Sequence, residues 1–184
     1  MAEYYLISQL PSLDGISDNM PLPITEERFM QLCNNLLKDR IKSQLNNLTL
    51  TPPLIPEKST SALILAWNEG ERSLRLALAK VRAEKMKKTF DSDKEFLPVE
   101  VIKVANNAVE TENPLEAEKF LTEYRLKFLE GLRPMDSFCE DFIYYYCLKL
   151  KLLQRIKQFD AEIGEVRYKN IYNSILNGDN LEAM

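Results

Sequence analysis

An apolar stripe with helical spacing runs through the middle of this 184-residue chain. Its positions follow one another every three or four residues, which places them on one face of an α-helix: Leu63, Trp67, Gly70, Leu74, Leu78 and Val81. The stripe predicts a long helix from about residue 59 to residue 88, with Trp67 in a core or an interface. Gly70 predicts a close approach by the backbone of a neighbouring element, since glycine has no side chain to prevent it.

Further segments show the same period behind a recognisable helix start. Such a start combines a capping side chain with acidic residues or proline in the first turn. Starts of this kind occur at Thr25, Asn113 and Ser137, and a further short helix opens at Pro98. Only five glycines are available for tight hairpins, which also favours helices. The sequence therefore predicts an all-α fold of four or five helices, arranged as an elongated helical bundle with two long helices.

The last helical pattern is nearly a heptad repeat. Its apolar positions follow one another at intervals close to 3.5 residues, which is typical of helices that pack along a narrow seam. They are Tyr145, Leu152, Ile156, Phe159, Ile163 and Val166.

Two segments interrupt the helical patterns. Residues 11–24 contain three prolines and one glycine and predict an irregular arm, and residues 46–58 contain three more prolines and predict a linker. The length of the chain suits one domain, or one elongated helical unit with a small appended piece. We therefore expect a single helical domain over residues 1–184.

The absence of histidine excludes several classes of active site. The chain contains no histidine at all, which removes the commonest general base and the commonest metal ligand. No phosphate-binding loop, dinucleotide fingerprint or nucleophile motif is present either. The carboxylates Glu116, Glu118 and Glu123 fit a solvated helix face better than a metal site. We expect no catalytic residue, no bound metal and no cofactor, and hence not an enzyme.

The cysteines and the apolar runs indicate a compartment. Three cysteines without a CxxC pair, Cys33, Cys139 and Cys147, fit free buried thiols in a reducing cytosol. The longest apolar stretch, residues 62–67, is far shorter than the ~20 residues that span a bilayer. The sequence predicts a cytoplasmic protein that meets a membrane only indirectly, through its partners.

One basic segment is the candidate for partner binding. Arg75, Lys80, Arg82 and Lys85 fall within a run that contains only one acidic residue. Such a run either steers an acidic partner or is a solvated face whose cations complement a helix C-terminus. The formal net charge of -4 argues against nucleic acid as the partner.

Three consecutive tyrosines, Tyr144, Tyr145 and Tyr146, form an unusual aromatic block. Successive residues of a helix point about 100° apart, so three in a row cannot face one core. At least one is therefore expected at a second interface or at the surface. The alternative is a thick bundle that surrounds the helix and takes up all three.

Three stretches resemble a known group of proteins: residues 4–13 (YYLISQLPSL), residues 67–75 with 78–83 (WNEGERSLR and LAKVRA), and residues 142–156 (FIYYYCLKLKLLQRI). They are similar to an uncharacterised bacterial family encoded among the subunits of V/A-type rotary ATPases. The third stretch also resembles, more faintly, the helices of the C subunit of V/A-type ATPases, known in eukaryotes as the d subunit.

That resemblance implies a role. The V/A-type C subunit is an all-helical funnel that sits on the cytoplasmic face of the membrane ring, sockets the central stalk and has no catalytic site. This chain has about half the length that the threefold helical arrangement of that family needs. The resemblance implies a non-catalytic subunit or accessory factor of a V/A-type rotary ATPase, as a central-stalk connector or an assembly factor, peripheral on the cytoplasmic face of the inner membrane. The alternatives are a helical protein–protein adaptor unrelated to ATPases and, least favoured, an enzyme that uses lysine, tyrosine and carboxylates.

Overall fold

The computed structural model describes residues 2–16, 20–54, 61–90, 97–158 and 161–179. Within these ranges the regular elements are all helices and no strand occurs, which confirms the predicted all-α fold. The helices are α1 (Ala2–Gln9), α2 (Glu26–Leu36), α3 (Asp39–Asn47), α4 (Ala62–Lys85), α5 (Val99–Glu110), α6 (Pro114–Gly131), α7 (Glu140–Gln158) and α8 (Ala161–Asp179).

The described residues contain more helices than the four or five predicted. One reason is that the segment after Thr25 is divided: Leu37 and Lys38 adopt extended backbone, so α2 ends and α3 begins there. The short opening helix α1 and the last helix α8 account for the rest. Residues 48–54 and the described parts of the arm, 11–16 and 20–24, contain no helix. Residues 17–19 and 55–60 lie outside the described residues.

Side-chain caps fix several of the helix starts. The hydroxyl of Thr25 accepts from the backbone N–H of Arg28 at 3.2 Å, and the Asn113 side chain accepts from the N–H of Leu115 at 3.0 Å. Each bond satisfies one of the free N–H groups of a first turn. The long central helix starts later than predicted, with Ser61 as its cap. The predicted cap at Ser137 is wrong, because α7 begins at Glu140.

Helix α7 is enclosed on every side. All eight residues from Ile143 to Leu150 are buried. Eight consecutive residues cover more than two turns, so no face of the helix is left to solvent. The helices α2, α3, α4 and α6 all contact α7. The bundle is therefore built around α7 rather than as a layer of helices that each expose one side.

The three tyrosines point to three different neighbours within this enclosure. The Tyr144 hydroxyl donates to Gln44 on α3, the Tyr145 hydroxyl to Glu130 on α6 at 2.8 Å, and the Tyr146 hydroxyl to the carbonyl oxygen of Pro11 at 2.8 Å. All three rings are buried. The expectation that one of them lies at the surface or at a second interface is wrong, and the thick-bundle alternative is confirmed.

Helix α4 runs through two apolar cores. Its first half, with Leu63 and Trp67, packs in the larger core around α7. Its second half, with Leu74 and Leu78, packs against α5 and α6 in a smaller core. Trp67 is fully buried, which confirms its predicted place in a core. The predicted stripe therefore marks the inner face of α4 along most of its length.

Gly70 lies where the two halves of α4 meet. Its neighbour is the ring of Phe128 on α6, and a methyl group at position 70 would overlap with the ring atoms Cζ and Cε1. The predicted close approach is therefore real, but a side chain makes it and not a backbone. Glycine in a helix costs about 1 kcal/mol against alanine, and here that cost allows α6 to pack against α4.

A buried lysine fastens the irregular arm to this core. The Lys149 ammonium donates to Asp14 Oδ1 at 2.5 Å, to Glu130 Oε1 at 2.5 Å and to the Tyr145 hydroxyl at 3.2 Å. Three acceptors satisfy the three N–H donors of the ammonium group. Lys149 itself is only 7% exposed. The arm at Asp14 is thus tied to α6 and α7 by one cation, which we call the Lys149 clasp.

The pKa values of the clasp show in which pH range it holds. Burial alone would lower the pKa of Lys149, but its hydrogen bonds to Asp14, Glu130 and Tyr145 outweigh burial and raise that pKa. The hydrogen bond from Lys149 lowers the pKa of Asp14. Burial acts to raise the pKa of Glu130, and the bonds from Lys149 and Tyr145 reverse this into a net lowering. The clasp is therefore charged and complete across the neutral range.

We expect Gly70→Ala to destabilise the protein, although the same change in an open helix position stabilises it. The added methyl group must displace the Phe128 ring, and overpacking of this kind costs about 1–3 kcal/mol. Chemical unfolding followed by the fluorescence of Trp67, the only tryptophan, measures the difference. Gly131→Ala is the matched control, because nothing lies within 4 Å of a methyl group there. Equal stability of both variants would contradict the packing described.

We expect Lys149→Met to cost about 1–3 kcal/mol at pH 7, the range for hydrogen bonds to charged groups. The pKa values of Asp14 and Glu130 are lowered in the folded protein, so the clasp stabilises the fold fully above about pH 4. This stabilisation is lost as the pH falls through the folded-state pKa values of the two carboxyl groups. The difference between wild type and Lys149→Met should therefore shrink below about pH 4. Lys42→Met, which breaks an exposed pair with Asp39, should change stability by less than about 0.5 kcal/mol. A pH-independent difference would contradict the clasp.

Candidate protein-binding surfaces

The four residues of the predicted binding segment do not share one surface. Arg75 and Arg82 are seven residues apart on α4, so two turns bring them to the same face, and Lys85 follows about 60° further round. Lys80 lies about 140° from Arg75 around the helix, and it is half-buried whereas the other three are exposed or nearly so. The structure brings Arg75, Arg82 and Lys85 to neighbouring faces and leaves Lys80 apart from them.

Two of the four residues have partners within the chain. The Arg75 guanidinium donates to Glu71 Oε1 at 2.9 Å and to the Thr51 hydroxyl at 3.3 Å. The Lys85 ammonium donates to the carbonyl oxygen of Val109 at 2.9 Å. Val109 lies in the last turn of α5, where a cation compensates unpaired carbonyl groups. These contacts give Arg75 and Lys85 a structural role whether or not they also bind a partner.

The end of α4 adds two further cations of the same basic run, Lys87 and Lys88. Lys87 has a φ of 54°, in the left-handed region. Its N–H donates to the carbonyl of Glu84 at 3.0 Å, and the N–H of Lys88 donates to that of Ala83 at 2.9 Å. This is the Schellman pattern of helix ends. The side chains of Arg82, Lys87 and Lys88 are exposed. We call Arg82, Lys85, Lys87 and Lys88 the basic end of α4.

A buried network of ion pairs lies on the inner side of α4, the helix that carries the basic segment. Glu71 is 2% exposed. Its carboxylate accepts two hydrogen bonds from the Arg125 guanidinium in a bidentate pair, from Nε at 2.9 Å and from Nη2 at 3.1 Å. Arg155 on α7 donates to Glu118 at 2.7 Å, and Glu118 also contacts Arg125. The network joins α4, α6 and α7. The sequence signal that could have indicated it is the spacing of Glu71, which follows Trp67 by one turn on the inner side of α4.

A row of exposed apolar side chains lies on α8. Four large side chains stand at positions i, i+3, i+4 and i+7, and each is more than half exposed: Tyr168, Ile171, Tyr172 and Ile175. We call these four residues the α8 row. The near-heptad pattern recognised in the sequence ends at Val166 and does not include the row, although the spacing of the row is visible in the sequence. Phe159, which belongs to that pattern, lies outside the described residues.

A partly exposed aromatic pair joins α1 to the segment just before α7. The rings of Tyr4 on α1 and Phe138, just before α7, stack with their centroids 4.9 Å apart. Both rings keep a large exposed area. The pair fixes α1 against the start of α7, and its outer faces are available to solvent.

Two buried thiols and one tyrosine have raised pKa values. Burial raises the pKa of Cys33 and of Cys147 to about 12, so neither forms much thiolate at neutral pH. Burial first, and the charges of Glu100 and Glu71 second, raise the pKa of Tyr124. Cys33 and Cys147 are thus buried free thiols as predicted, while Cys139 is only half-buried.

The described residues offer small clefts. Three clefts lined by them hold about 160, 190 and 330 Å³, at or below the lower end of typical ligand sites. The largest is open and mainly polar, with Lys151 and Arg155 on its wall. No group of three or more His, Cys, Asp or Glu side chains that could hold a metal ion occurs in the described part of the chain. None of the helices described there is long and apolar enough to cross a bilayer.

Comparison with known proteins adds no relative. No protein-family model, no curated protein and no solved structure matches this chain. The family resemblance of the three sequence stretches therefore stays a prediction from the sequence.

Proposed function

We propose that this chain is a non-catalytic protein-binding factor, and that it serves as a subunit or accessory factor of a V/A-type rotary ATPase. The observation that carries the protein-binding part is the α8 row, four large apolar side chains more than half exposed on one helix. Exposed apolar patches of this kind mark interaction sites in soluble proteins. The basic end of α4 offers a second, electrostatic surface on another part of the molecule.

The state of the buried polar groups supports a role without catalysis. Catalytic acids and bases need access to the substrate and pKa values near the working pH. Here Lys149 is held by three acceptors, and both oxygens of Glu71 are occupied by arginine. The buried thiols have strongly raised pKa values. Lys149 and Glu71 each link side chains of different helices.

The ATPase part of the proposal depends on the sequence resemblance. The three stretches that carry it fall on α1 with the arm, on the middle of α4, and on the enclosed part of α7. They include Gly70, Glu71 and Lys149, which hold helices together. A resemblance at such positions concerns the fold, which suits a family of helical connectors without an active site. Such a connector would reach the cytoplasmic face of the inner membrane through its partners.

A helical adaptor unrelated to ATPases is the second candidate. The spacing of the α8 row matches the anchors with which a helix enters the groove of another protein. This candidate uses the same surface and differs only in the partner.

Co-purification tests the proposal. The protein is isolated from the cells that naturally produce it, and stalk and membrane-ring subunits of a rotary ATPase are expected with it. Arg82→Glu with Lys88→Glu should slow association roughly ten-fold at low ionic strength, and less in high salt, because screening shortens the reach of the field. Arg28→Glu with Lys127→Glu is the control, since it changes cations elsewhere on the surface by the same charge. Circular dichroism verifies that both variants keep the fold.

The outcomes separate the two parts of the proposal. If the wild type brings down no component of a rotary ATPase, the ATPase role is wrong and the adaptor takes its place. If both variants associate equally well, the ATPase role survives and the basic end of α4 is only a solvated surface.

A further inference from the structure

The described side chains of α8 lack the packing that normally holds a helix. Every described side chain from Gly164 to Ile175 is exposed, on all faces of the helix. The chain there contains Gly164 and Gly178 as well as asparagines, which favour helix weakly. An isolated helix of this length and composition is marginal in water.

Local contacts along α8 do not make up for this. The Lys169 ammonium lies 2.6 Å from Glu165 one turn earlier, and the rings of Tyr168 and Tyr172 stack at 6.1 Å. Pairs of this kind stabilise an exposed helix only slightly. A helix that exposes an apolar row and depends on so few contacts requires a covering surface.

The residues of α8 are spaced for pairing with another helix. Gly164, Tyr168, Ile171 and Ile175 follow one another at intervals of four, three and four, which is the seam of a two-stranded coiled coil. Tyr172 flanks this seam. Val166 points to the opposite side of the helix.

The order of large and small residues on the seam fits an antiparallel partner with the same sequence. In an antiparallel pair, Tyr168 of one copy faces Ile171 of the second copy, and Gly164 faces Ile175 of the second copy. The smallest residue then faces a large one, as close packing of facing layers requires. A parallel pair would instead set glycine against glycine and tyrosine against tyrosine, which leaves a gap at one layer and crowding at the next.

The flanking residues agree with the same arrangement. On one side of the antiparallel seam, the Tyr172 hydroxyl comes beside Glu165 of the second copy, which can accept its hydrogen bond. On the other side, Arg167 comes beside Ser174 of the second copy. No two like charges meet across this seam. We infer that α8 pairs antiparallel with α8 of a second copy of this chain, which makes the protein a homodimer.

The available area sets the strength of this dimer. The α8 row presents roughly 450 Å² per copy, taking about 200 Å² for a fully exposed large side chain. That is about half of the ~800 Å² per partner in a stable interface. An interface of this size is typical of weak, reversible association. The dimer covers the α8 row, so a partner that binds at this row competes with the second copy. The basic end of α4 is not part of the α8 seam.

Sedimentation equilibrium of the full chain between about 1 and about 200 µM tests the inference, because this range brackets micromolar affinities. We expect the mean mass to rise with concentration from 21.4 kDa towards twice that value. Ile171→Gln with Ile175→Gln should weaken the dimer at least ten-fold, since it removes half of the row while keeping good helix formers. Val166→Gln, an exposed apolar residue on the opposite side, is the matched control and should leave the affinity unchanged.

Cysteine crosslinking tests the direction of the pair. Two differently tagged proteins, one with Gly164→Cys and one with Ile175→Cys, are mixed in a Cys139→Ser background and treated with a mild thiol oxidant. The antiparallel arrangement gives a crosslink between the two proteins, and a parallel one crosslinks each protein to itself. A monomer throughout the concentration range, a dimer that resists the double isoleucine change, or self-crosslinks alone would each overturn the inference.

Discussion

The enclosure of α7 is the constraint on which the rest of the structure depends. Eight consecutive buried residues, Ile143 to Leu150, can be covered only if other elements approach from all directions. Every polar atom they carry into the interior then needs a partner. The hydroxyls of the three tyrosines and the Lys149 ammonium meet this requirement, and together they contact α3, α6 and the arm.

The positions of the surrounding elements follow from those contacts. Tyr144 holds α3 through Gln44, Tyr145 holds α6 through Glu130, and Tyr146 with Lys149 holds the arm. A helix buried among apolar residues alone could rotate or slide at modest cost. Polar anchors on three sides of the helix fix both its rotation and its height, because each unpaired group would cost about 1–3 kcal/mol.

Sequence reasoning works well for α4 and poorly for α7, and the reason is physical. Helix α4 has one buried face for most of its length, so its apolar residues recur in the sequence with the helical period of 3.6 residues. Helix α7 has no exposed face in its middle, so no period marks its inner side. Its three tyrosines and a lysine suggest a surface unless their partners are known. Those partners, such as Glu130 and Asp14, are distant in sequence or lie in an irregular arm. The break between α2 and α3 likewise carries no proline or glycine, only Leu37 in extended backbone.

The candidate surfaces show a similar division. The basic segment was visible as a run of charge, but its intramolecular contacts depend on tertiary geometry: Lys85 reaches a carbonyl of α5, and Arg75 joins a network around Glu71. The helical spacing of the α8 row is visible in the sequence. What only the structure supplies is its exposure, since the same spacing is typical of a helix packed in a core.

Hydrogen exchange tests the central claim, that stability is concentrated around α7 and that α8 contributes none of it in the isolated chain. At low protein concentration, the backbone amides of Ile143 to Leu150 should exchange only through global unfolding, with the highest protection in the molecule. Those of α8 should exchange with little protection, as in a helix without packing. Fast exchange in the middle of α7, or protection of α8 equal to that of α7 at high dilution, would contradict the account.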